Sequence, residues 1–198
     1  MVLPESKIKD AKALIDQLKK DPSSISFGIA TALGGANHIA TVSALKTAGV
    51  DIKRVRNVVY KSGGEVTVAL LGGHVDVVPI AAPIAVPQLQ AGKVRVIAVS
   101  STNRLSGALA NIPTWREQGI DATYSTWRGA VGPKGLTKQQ ISYWDEVFSK
   151  LASLESWKKE LDRNLWVANY LDSQQSKDFL ERQRKEHHAI LSDLGMAK

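Results

Sequence analysis

The chain has no cysteine, which excludes disulfides, zinc–thiolate and iron–sulfur centres, and thiol nucleophiles. It has no apolar run of the ~18 residues a membrane span requires. The longest, residues 77–86, is interrupted by Pro79 and Pro83. No basic start followed by an apolar stretch and a small-residue cleavage site opens the chain, so no export signal is visible in it. The motifs Gly-x-Gly-x-x-Gly, Gly-x-x-x-x-Gly-Lys-Ser/Thr, His-Glu-x-x-His and Gly-x-Ser-x-Gly are missing, which lowers the expectation of dinucleotide, nucleotide, zinc-protease or serine-hydrolase chemistry.

What is present suits a folded, soluble protein of one domain or two small ones: 198 residues, 43% of them hydrophobic and 23% charged, with 15 glycines and 7 prolines spread along the chain. The net charge of +7 raises the question of nucleic acid. Its distribution argues against it. Lys53, Arg54 and Arg56 read as an exposed connection, and Arg182, Arg184 and Lys185 alternate with Glu181 and Glu186 on a solvated helix face. Neither cluster makes a nucleic-acid footprint.

Residues 6–20 repeat Ile8, Ala11, Leu14, Ile15 and Leu18 at helical spacing until Asp21-Pro22 stops them. Strand and helix patterns then alternate: strands at 25–30, 57–60, 75–80 and 94–99, helices at 37–48, 65–71 and 83–91. That order predicts right-handed βαβ crossovers and a parallel sheet, hence an α/β unit over residues 22–100. Gly49, the Gly72-Gly73 pair and Gly92 fall where helices should end. Beyond Ser100 come a loop, a short helix near residues 114–118 and an extended run at 122–131. Thr137 and Gln140 have capping-box spacing. Ile141, Trp144, Phe148 and Leu151 then form a stripe expected to pack into a core. A last helix spans residues 173–195.

The segment with most chemistry is residues 31–38, Thr-Ala-Leu-Gly-Gly-Ala-Asn-His, between the first strand and the next helix. Open α/β sheets bind ligands at the carboxyl ends of their strands, and a helix N-terminus offers unpaired N–H groups to an anion. Gly34 and Gly35 would let a carboxylate approach the backbone. The same residues also suit a tight turn, with Asn37 merely capping the helix. A second loop, residues 60–64, Tyr-Lys-Ser-Gly-Gly, should lie on the same edge, with Lys61 either adding positive charge or simply solvated. His187 and His188, neighbours about 100° apart on a helix, make a poor metal pair. Neither metal nor cofactor is expected. Ser62 with His38 or His74 has no acidic partner marked out, so a small hydrolase is a weak alternative.

In order and spacing, these residues resemble the solute-binding receptors of tripartite tricarboxylate transporters, the Bug family. The resemblance rests on Phe27-Gly28, the loop through His38, residues 48–51 (Ala-Gly-Val-Asp), 60–64, 70–76 (Leu-Leu-Gly-Gly-His-Val-Asp) and 89–95 (Leu-Gln-Ala-Gly-Lys-Val-Arg). It continues through residues 97–99, 112–115, 127–129 and 132–135, across nearly the whole chain. It implies an α/β fold like type II periplasmic binding proteins, with one complete parallel or mixed-sheet lobe (residues 1–122) and the mainly helical C-terminal portion of another (123–198). It also implies a carboxylate-binding, non-enzymatic receptor that delivers its solute to membrane subunits without entering the membrane itself. Carried over residue by residue, Thr31, Ala32, Leu33, Gly34, Gly35, Asn37 and His38 would lie near the ligand, with Tyr60, Ser62, Gly63 and Trp127 as weaker candidates.

Two departures stand out. Family members carry roughly a hundred further residues of first lobe, with a Pro-Pro-Gly-Gly loop, before the position matching Met1. A half lobe leaves apolar faces uncovered, so self-association, a missing partner segment or an incomplete gene product is expected. Where many members have an acidic residue for a ligand amine, this chain has Pro79-Ile-Ala-Ala-Pro83, which favours a di- or tricarboxylate over an amino acid. The alternative is a remnant that has lost its ligand and acts as a dimerising or regulatory module. Resemblance implies the periplasm; without an export signal, the chain as it stands would remain cytoplasmic.

Overall fold

A computed structural model describes residues 1–197. Asp10 starts the first helix, its carboxylate accepting the Ala13 N–H at 2.7 Å, and α1 (Ala11–Lys20) buries Ala11, Leu14, Ile15 and Leu18. The expected helix is therefore shorter by residues 6–10. Carbonyls of this stretch are used elsewhere: the Arg95 guanidinium donates to those of Ser6, Ile8 and Lys9, and to that of Pro4 just before it, at 2.9–3.2 Å.

Strand β1 (Ser26–Ala30) pairs in parallel with β2 (Arg56–Tyr60), Ser26 opposite Arg56 and Ala30 opposite Tyr60. Between them runs α2 (Ala36–Thr47), and α3 (Gly63–Leu71) follows β2. β1 is buried along its whole length, as a strand covered on both faces must be. One core gathers Leu14, Leu18, Phe27, Ile29, Val42 and Leu45; the other holds Val66, Leu70, Val75 and Val78.

The other two predicted strands do not form as such. Residues 75–80 contribute one parallel bridge, Phe27 to Val77, with the Gly28 N–H donating to the Val77 carbonyl at 2.9 Å. Residues 94–99 contribute single bridges, Arg95 to Val2 and Val99 to Thr114. Pro79 has no N–H to extend a ladder, and Met1 and Val2 occupy the place between Val78 and Arg95, bonded to both. The sheet is thus mixed beyond its parallel centre.

Residues 83–91 are helical as expected, in α4 (Ala82–Gln90). Gly49 and Gly92 take positive φ of 80° and 67° just past their helices. The short helix near 114–118 is a 3₁₀ turn, Arg116–Gln118, and the run at 122–131 forms neither strand nor helix.

Two compact units result, Met1–Thr126 with the residues from Ile190 onward, and Trp127–Ala189. In the second, Thr137 and Gln140 make the predicted capping box at the start of α5 (Lys138–Ser153), followed by α6 (Glu155–Arg163) and α7 (Ser173–Asp193), whose residues to Ala189 belong here. Asp145 ties α5 to the start of α7, accepting from the Ser173 N–H at 2.8 Å and hydroxyl at 2.7 Å. The aromatic stripe on α5 exists but is not a buried core: Ile141 and Trp144 are exposed, and among the described residues of this unit only Leu161 is buried. Among the described residues of this unit there are three helices and no sheet, which leaves that face open.

One outcome follows from this packing. A Cβ at Gly28 would stand 2.5 Å from Val66 Cγ2 and 3.0 Å from Val75 and Val78, because α3 and residues 75–78 press directly on β1. Gly28→Ala should therefore lower stability by about 1–3 kcal/mol, read from urea denaturation.

Candidate functional site

Because β1 and β2 run in parallel and end together at Ala30 and Tyr60, the loops that follow them lie side by side. The Thr31 N–H donates to the Tyr60 carbonyl at 2.7 Å and joins the two. Thr31 has φ of 71°, a conformation β-branched residues seldom adopt, and its hydroxyl donates to the Ala30 carbonyl at 2.6 Å.

The first loop spends many of its own donors on itself. The Ala32 N–H reaches the Ala30 carbonyl at 3.1 Å, and the Gly35 N–H reaches that of Ala32 at 3.3 Å. The Gly34 N–H donates to His38 Nδ1 at 3.0 Å. The N–H groups of Leu33, Ala36, Asn37 and His38 have no partner among the described residues. The last three form the first turn of α2, where helix geometry leaves N–H groups unpaired and the macrodipole is positive. Its N-cap is Gly35, with no side chain to satisfy them. Asn37 therefore does not cap the helix as one reading of the sequence had it; it is the second helical residue, and its carbonyl accepts the Thr41 hydroxyl at 2.8 Å.

His38 is 2% exposed, and burial lowers its pKa below the ordinary 6.5. Nδ1 accepts the Gly34 N–H, so the neutral ring carries its proton on Nε2, which is buried and has no hydrogen-bond partner among the described residues. Gly34 itself has φ of 80°, and a Cβ there would meet Leu191 at 3.3 Å and Met196 at 3.5 Å. The C-terminal residues thus back this loop, helped by an ion pair between Lys46 and Asp193.

The second loop is capped by its own side chains. The Ser62 hydroxyl accepts the Glu65 N–H at 3.2 Å, and the Glu65 carboxylate accepts the Lys61 N–H at 3.0 Å. The N-terminus of α3 already carries its own negative charge. Ser62 is a helix cap, and no histidine hydrogen-bonds to it among the described residues. Gly63 is small because a Cβ would stand 2.7 Å from Ile84 Cδ1. Tyr60 packs on the second core. Trp127 belongs to the other compact unit, where its ring meets Phe179 edge-on at 5.9 Å. Of the sequence candidates, residues 31–38 and 60–63 share one unit. Glu65, Leu191 and Met196 were missed. Glu65 was legible in the Ser-x-x-Glu spacing; the other two come from the opposite end of the chain.

The family model for the tripartite tricarboxylate transporter family receptor, TctC, matches residues 1–196. The chain belongs to the TctC receptor family. A Cupriavidus necator protein described as a UPF0065 protein in the gbd 5′ region is 28% identical over the whole of this chain and 59% of its own length. BugT of Bordetella pertussis is 31% identical over 70% of this chain and 41% of its own length. Among solved structures, an R. palustris protein with adipate has a TM-score of 0.81 at 21% identity, covering 99% of this chain and 64% of that one. MatC of Rhodopseudomonas palustris with bound malate has a TM-score of 0.71 at 18% identity, covering 100% and 65%. The α/β fold is therefore that of TctC periplasmic binding proteins, and this TctC chain spans less than two thirds of the length of these relatives.

Ser62→Ala should cost about 1 kcal/mol through loss of the α3 cap. Urea denaturation reads the loss.

Proposed function

We propose that the chain serves as a receptor, or the greater part of one, for a small di- or tricarboxylate that is passed to the membrane subunits of a tripartite tricarboxylate transporter in the periplasm. One observation carries this reading: the first turn of α2, at the carboxyl edge of a parallel sheet, presents the N–H groups of Ala36, Asn37 and His38 with no cap and no partner among the described residues. That arrangement suits one carboxylate of the ligand. The adipate and malate held by two structural relatives support the class. Pro79, where a ligand amine would need an acid, favours a ligand without one. On this reading residues 1–122 are the second lobe and 123–198 part of the first. Thr31, Leu33 and Gly34 shape the rim. The family is one of receptors, which supports a role without catalysis.

The uncovered apolar face of residues 127–189 favours a second reading, a module that associates with itself and takes no ligand. Thermal melts with succinate, malate, adipate and citrate separate the two. A saturable rise with one carboxylate supports the receptor, since a ligand of the native state alone raises its melting point. No rise, together with concentration-dependent dimers in sedimentation, supports the module.

Ala36→Pro is the directed test. Gly35 has φ of −72° and ψ of 168°, which a following proline accepts, and proline fits the first helical position. The variant removes one donor and should weaken carboxylate binding about tenfold, with the melting point nearly unchanged. Equal affinity would take the site away from α2.

A further inference from the structure

The reading above uses only the backbone N–H of His38; its imidazole faces the loop backbone and has no role there. We propose that His38 is a positioning residue whose neutral imidazole holds the Gly34 turn in its anion-receiving shape, so that acidification releases the turn and weakens the site. The claim rests on the carboxylate reading only for its last step.

Three observations carry it. The Gly34 N–H donates to Nδ1 at 3.0 Å, and only an unprotonated Nδ1 can accept. Gly34 sits at φ of 80° and is backed on its Cβ side by Leu191 and Met196, so the turn has a defined shape to lose. The opposite nitrogen, Nε2, is buried with no partner among the described residues, so a second proton would place a charge where nothing answers it. That charge would also stand in the first turn of α2, at the positive end of the helix dipole.

The neighbouring charged groups do not rescue it. On α2, Lys46 pairs with Asp193 of the C-terminal segment. On the connection after α2, the Asp51 carboxylate is engaged with the Lys53 N–H, and Arg54 pairs with Asp21. Beside the loop, Glu65 is taken by the Lys61 N–H. None of them hydrogen-bonds to the imidazole, and burial alone accounts for its lowered pKa. Neutral His38 therefore favours the native turn, and the benefit is lost as pH falls below 6.5.

The test uses the whole chain labelled with ¹⁵N, first without ligand. From pH 8 to pH 5, the Gly34 amide signal should move and lose its exchange protection with the same midpoint as the His38 ring nitrogens, which begin in the Nε2–H form. In His38→Gln, whose amide oxygen can accept the same N–H, the Gly34 signal should stay constant. A Gly34 amide that ignores pH in the parent chain, or that titrates equally in His38→Gln, overturns the latch.

Calorimetry with malate then tests the coupling. The dissociation constant should rise on the order of tenfold more in the parent than in His38→Gln over the same range; the variant shares the ligand's own titration. Equal rises overturn the coupling. Absence of malate binding at every pH, with the amide still titrating, overturns the carboxylate reading and leaves the latch standing.

Discussion

Parallel pairing of Ser26–Ala30 with Arg56–Tyr60 is the constraint on which the site depends. Parallel strands deliver both carboxyl ends to one edge, and a register that sets Ala30 opposite Tyr60 makes the two chains turn at the same level. The Thr31 N–H can then bond the Tyr60 carbonyl, which holds Thr31 in its left-handed conformation and starts the glycine turn. From there the chain enters α2 without a capping side chain. A shift of one residue would turn the faces of β1 over and break each of these steps.

The two loops at that edge look alike in sequence and differ in electrostatics. Both place glycines before a helix, yet one ends in an uncapped first turn and the other in a turn capped by Ser62 and covered by the Glu65 carboxylate. The first helix end thus presents partial positive charge, and the second carries a fixed negative group beside it. The other compact unit displays Tyr143, Trp144 and Val167 to solvent and buries only Leu161 among the described residues. Apolar faces of that kind are surfaces for another element of structure, in keeping with a chain that spans 59% of the C. necator relative.

Most helices and the parallel centre of the sheet were legible, since their signals are local. The spacing of Leu14, Ile15 and Leu18, the Val- and Ile-rich strands and the Thr137–Gln140 box each lie within a few residues. Boundaries failed where a distant group intervened. Residues 6–10 have helical spacing, but Ser6, Ile8 and Lys9 give their carbonyls to Arg95, some ninety positions away. The strands at 75–80 and 94–99 shrink to bridges because Met1 and Val2 enter between them. Trp144 was read as core because an amphipathic stripe says which face is apolar and says nothing of whether anything covers it.

The sequence by itself determined the βα loop, the glycines that permit it and the family to which the chain belongs, because order and spacing along the chain are sufficient for each. Tertiary structure alone decided which N–H groups of that loop remain available. Gly34 looks like a donor for a ligand until His38 folds back to take its hydrogen, and Leu191 and Met196, more than 150 residues away, close the space behind it. Hydrogen-bond donors are a fixed stock set by the chain, but which of them are already satisfied depends on contacts that only the folded molecule makes.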